Sequence, residues 1–187
     1  STPAQTDVRD GTAITAVSAA DGDKLVQEAV ENQSRTIVIK PEITGDVTKT
    51  QVSIPASTVG RIQSETNASL TVSTPIADAA IPREALDTLA SAGGDVSVSA
   101  EQAGQAVTFT LTAGGETVER VPGGLTLTVP AEDAGPGTVA MLVHADGTRE
   151  VIQRSIVEDG RMSIPLDGSA TVEIVDNGRV FADVPPE

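Results

Sequence analysis

From Gln105 onward the chain alternates: Val107, Phe109 and Leu111 are spaced by threonines, and Leu125, Leu127 and Val129 follow the same rule. Val139, Met141 and Val143 repeat it, and Met162, Ile164, Val172 and Ile174 complete the series. A period of two places every apolar side chain on one face of an extended strand, which no helix can do. Between the runs stand Gly114-Gly115, Pro122-Gly123-Gly124, Gly135-Pro136-Gly137, Asp146-Gly147, Asp159-Gly160 and Asp167-Gly168. These residues supply the left-handed or fixed backbone that chain reversals need. With no helical stripe between them, residues 104–177 are expected to form a small antiparallel β-sandwich.

The first half has another rhythm. A short strand is expected at 13–17, followed by a helix in which Asp21, Gly22 and Asp23 precede a stripe of Leu25, Val26, Ala29 and Val30 ending near Asn32. Thr36 to Ile39 is a β-branched burst closed by Pro41, a strand signal. An internal repeat follows. Val52-Ser53-Ile54-Pro55 leads through Val59 and Ile62 to Leu70-Thr71-Val72, and Ala79-Ala80-Ile81-Pro82 leads through Leu86 and Leu89 to Val96-Ser97-Val98. Each copy reads strand, helix, strand. The prolines suit a first helical position, where a missing N–H costs nothing, and Gly93-Gly94 and Asn67 suit the left-handed stop.

The expectation is therefore an α+β chain: an unpaired tail over residues 1–12, an α/β domain over 13–103 with helices on one sheet, the sandwich over 104–177, and a linker over 178–187.

Composition narrows function. There is no Trp or Tyr, and only Phe109 and Phe181 are aromatic, so the stacking platforms used for sugars, bases and flat cofactors are missing. Twelve basic against 27 acidic side chains give a net charge of -15, which repels phosphate backbones and speaks against a nucleic-acid partner. The absence of cysteine removes disulfides, thiolate metal sites and a Cys nucleophile. No apolar run is long enough to span a bilayer and no charged-then-apolar leader opens the chain, so direct membrane insertion is not expected.

Leu142-Val143-His144-Ala145-Asp146-Gly147-Thr148, the stretch from Ser155 through Glu158-Asp159-Gly160 to Met162, and Leu166-Asp167-Gly168 running on to Asp176-Asn177 carry a family likeness. Together with the Ile54-Pro55 and Ile81-Pro82 repeat, they resemble the region immediately upstream of S-layer homology repeats in Gram-positive, clostridia-like cell-surface proteins. Val180-Phe181-Ala182-Asp183-Val184-Pro185 resembles the opening of such a repeat. The aromatic-rich helix that would continue the repeat is not within these residues, so wall binding does not carry over. The resemblance implies an extracellular segment at the cell wall, with neighbouring domains of the same protein as partners.

No residue set stands out as catalytic, cofactor-binding or metal-binding. A Ser-His-Asp arrangement would need His144, the single histidine, and no nucleophile-elbow pattern accompanies it. Asp21-Gly22-Asp23, Asp146-Gly147 and Glu158-Asp159-Gly160 could offer oxygens to calcium, but they lack EF-hand spacing and read first as turns. Lys24, Lys40 and Lys49 are the only lysines that could donate to an intramolecular Lys-to-Asn crosslink, and Lys40 is best placed for it. The expectation is a non-catalytic structural or spacer module. Its alternatives are assembly with copies of itself through edge or terminal strands, and adhesion to a host ligand or glycan.

Overall fold

The first reversal is made by Asp10 and Gly11, whose φ angles of 51° and 78° are those of a type I′ hairpin turn. In the computed structural model, which describes residues 5–43, 46–131, 135, 137–152 and 155–176, this turn joins β1 (Gln5–Arg9) to β2 (Thr12–Ala16) as an antiparallel pair. The expected unpaired tail over residues 1–12 is corrected over its described part, since Gln5–Arg9 forms an edge strand. The Asp-Gly pair is the local cause, because both positions need a left-handed backbone that few other dipeptides accept.

The chain continues through α1 (Ala19–Asn32), β3 (Thr36–Ile39), β4 (Lys49–Ile54), α2 (Ala56–Glu65), β5 (Ser69–Ser73), β6 (Asp78–Ile81), α3 (Arg83–Ser91) and β7 (Val96–Ala103). Helix α1 starts earlier than its apolar stripe because the Ser18 hydroxyl accepts the Asp21 N–H at 3.1 Å and caps it. Pro55 and Pro82 stand one position before their helices in extended conformation, where a donor is equally dispensable. Gly93 adopts φ 73° just after α3, as a helix stop requires. Asn67 does not play that part: α2 ends at Thr66 in an extended conformation, with the Thr66 hydroxyl donating back to Ile62 O at 2.6 Å.

The strands that flank the helices do not all belong to one sheet. Strands β2, β4 and β7 are neighbours in one sheet, whereas β3, β5 and β6 are neighbours in another. Each helix therefore carries the chain from one sheet to the other. The buried positions Val26 and Ala29, Val59 and Ile62, and Leu86 and Leu89 join the common core.

The second half adds β8 (Ala106–Ala113), β9 (Glu116–Thr117), β10 (Leu125–Pro130), β11 (Thr138–Val143), β12 (Arg149–Ile152), β13 (Ile156–Glu158), β14 (Arg161–Leu166) and β15 (Ala170–Asp176). Among the described residues the larger sheet runs β1-β2-β4-β7-β8-β15-β11-β12 with β9 on β8, and the smaller runs β13-β14-β10-β6-β5-β3. The expected boundary between residues 103 and 104 falls at the β7–β8 hairpin, where Ala103 pairs with Ala106. Strands from both sides of it share both sheets and one hydrophobic core. The expected separation into two bodies is corrected accordingly: a hairpin that pairs along eight residues is a continuation of a sheet and not a linker. The expected linker at 178–187 lies outside the described residues.

Val98 and Phe109 of the larger sheet line one small void together with Val72 and Leu127 of the smaller. Phe109, Leu111, Leu127, Met162 and Ile164 are essentially inaccessible, as their alternation with threonine and serine predicts. Strand β11 departs from that rule. Ala140 is fully buried, while Val139, Met141 and Val143 are only partly covered on the opposite face. Both faces of this strand are apolar, so alternation does not say which turns inward. Pairing decides: Ala140 and Leu142 stand opposite Ile174 and Val172 of β15, whose Val172 belongs to the core. Val175 and Val151 extend the outward apolar face through the pairs Val139–Val175 and Met141–Val151.

Helices α1 and α2 meet where Gly22 faces Thr58, a contact so close that a Cβ on Gly22 would overlap the Thr58 hydroxyl. That hydroxyl is buried and has no hydrogen-bond partner among the described residues. Replacing it with a methyl of similar shape removes an unsatisfied polar atom, so Thr58→Val is expected to leave stability unchanged or raise it by about 1 kcal/mol in urea unfolding. A loss of stability would mean that the hydroxyl has a partner in solution.

Candidate functional site

Two clefts open on the smaller sheet. The first, of about 880 Å³, is lined by Ser69, Arg83, Arg120, Gly123, Gly124 and Asp167, with aliphatic walls from β6, β10 and β14. Arg83 enters it at the start of α3, but its guanidinium is spent on the end of α2. It donates to Thr66 O at 2.6 Å, Gln63 O at 3.0 Å and Ile62 O at 3.1 Å. Gln63 O and Thr66 O lie in and just past the last turn of that helix, at its negative end where donors from the helix itself run out, while Ile62 O also accepts from Thr66. The start of α2 is tied in the complementary way, by the Ala56 N–H donating to Asp95 Oδ1 at 3.0 Å. The internal repeat is thus held by charges placed at helix ends. Arg83→Met keeps the stem and removes the donors, and is expected to lower unfolding free energy by about 1.5 kcal/mol. No change in the urea midpoint would show that the three carbonyls are equally well served by water.

The second cleft, of about 1010 Å³, is lined by Lys40, Pro41, Pro75, Pro130, Asp159 and Arg161, among others. At its floor Arg161 Nη2 lies 2.7 Å from Asp78 Oδ2, and the Ser73 hydroxyl donates to Asp78 Oδ1 at 2.7 Å. The carboxylate is therefore engaged on both oxygens. A crosslink from Lys40 would need an asparagine side chain, and none lines this cleft.

His144 lines neither cleft. It follows β11 in the reversal to β12, with Nε2 3.1 Å from Glu150 Oε1 and both side chains open to solvent. Among the described residues its ring is hydrogen-bonded to that carboxylate and to no serine or threonine hydroxyl. Asp21-Gly22-Asp23, expected as a turn, lies instead in the first turns of α1, because the Ser18 cap starts the helix before it; the other two Asp-Gly segments are turns. Asp159 and Gly160 have φ angles of 54° and 73° and close the hairpin in which Glu158 pairs with Arg161. Asp146 Oδ1 accepts both the Thr148 N–H at 2.9 Å and the Thr148 hydroxyl at 2.6 Å, so the carboxylate fastens its own loop. Asp23 is held by Arg61 at 2.7 Å, and Arg61 also reaches Glu65 at 2.7 Å. Among the described residues no group of three or more His, Asp or Glu side chains is gathered so that it could hold a metal ion.

The hydrogen bonds from the Thr148 hydroxyl and N–H hold the Asp146 carboxyl below the usual carboxylate range, and the bond from Arg61 does the same for Glu65. Because both are lowered by folding, their contribution is present above the ordinary carboxylate range and fades as pH falls through the lower folded values. Carboxyl resonances followed by NMR should titrate low for Asp146, and Thr148→Val should bring that titration back toward the ordinary value. An unmoved Asp146 titration in the variant would remove the assigned cause.

Arg83 and Asp95 were not singled out from the sequence. The repeat does carry a signal for Arg83, since Pro82-Arg83 opens α3 where Pro55-Ala56 opens α2. Asp95 has no such signal, because its partner is a backbone N–H 39 residues away.

No protein-family model matches the chain, and no curated protein matches it. Among the described residues no helix is long and apolar enough to cross a membrane.

Proposed function

We propose that this chain is a non-catalytic structural module of a bacterial cell-surface protein, an extracellular body at the cell wall that holds neighbouring domains of the same protein in place. The observation that supports this most is the shared aliphatic core: both sheets take strands from both halves of the chain, and three helices bridge them. In this reading the sheets pack face to face as a sandwich, and three strand-helix-strand units make one side of it. Of the charged side chains in and around the clefts, Arg83, Asp95, Asp78 and Arg161 are engaged in holding helix ends and strands. The resemblance to the region upstream of S-layer homology repeats supplies the location.

Cell fractionation with labelling by a membrane-impermeant amine reagent tests it. The protein should be labelled on intact cells and recovered in the wall fraction. Recovery in the cytosol without labelling would overturn the location. A thermal melt that shifts strongly with calcium, or with any small ligand, would overturn the non-catalytic, ligand-free part of the reading.

A second reading, assembly with copies of itself, is favoured by one observation: among the described residues β1 is an edge strand paired only to β2, and Val8 on it is exposed. Light scattering separates the two. A monomer at high micromolar concentration supports the spacer, and assembly that disappears when residues 1–12 are removed supports self-association.

A further inference from the structure

We draw no further inference here: the strongest candidate, the partly exposed apolar face of Val139, Met141, Val143, Val151 and Val175 on the outer side of the larger sheet, carries nothing because nothing in the structure shows what covers it.

Discussion

Phe109→Ala is expected to cost about 3–5 kcal/mol, the largest effect of any single substitution considered, because a buried ring is lost and its site can only partly collapse. Phe109 is 1% exposed and stands at the middle of β8, opposite Ala100 of β7 and Ala170 of β15. Small neighbours on both flanks leave little side-chain bulk to move into the space. The void beside it is already present at about 10 Å³, and the truncation would enlarge it. Equilibrium unfolding in urea measures the cost directly. Phe109→Leu should recover most of it, and an alanine variant within 1 kcal/mol of wild type would mean that the ring is not at the centre of the core.

Gly22→Ala should destabilise by about 2–3 kcal/mol, against the usual gain from replacing a helical glycine. The added Cβ would overlap the Thr58 hydroxyl and lie 2.9 Å from Thr58 Cβ and Cγ2, and Gly22 has no room to retreat because α1 is buried on that side. Overlap and propensity oppose each other, and overpacking of this size exceeds the roughly 1 kcal/mol that alanine gains in a helix. The sign is therefore the test. In a double-mutant cycle Thr58→Ala should rescue part of the loss, giving a coupling of about 1 kcal/mol or more. Simple additivity would show that the two helices do not touch at this pair.

Much of the local structure was legible. Alternating Val107, Phe109 and Leu111, or Leu125, Leu127 and Val129, became strands with those residues inward, since threonine on the other face leaves one reading of the period. The stripes in all three helices were equally plain, because Val26 and Ala29, Val59 and Ile62, and Leu86 and Leu89 recur at helical spacing and are buried. Pairing was not legible. Whether β7 and β8 bound two bodies or share one sheet depends on partners far along the chain, such as β15 beside β8. The same long-range choice turned Ala140 inward and left Val139, Met141 and Val143 outside. Neither propensity nor turn chemistry reaches across such distances. His144, Asp146 and Asp159 lie in reversals, as an Asp-Gly turn implies. The first cleft needed tertiary structure, since its walls come from β6, β10, β14 and the start of α3 together.

Native-state hydrogen exchange on the full chain tests the central claim most directly, because the chain has no tryptophan or tyrosine to report unfolding by fluorescence. If both halves share one body, the slowest amides of β4 and β7 and those of β10 and β14 will exchange with the same free energy, fall together in urea, and fall together again in Phe109→Ala. Two separate plateaus, with residues 13–103 and 104–177 opening independently, would contradict it.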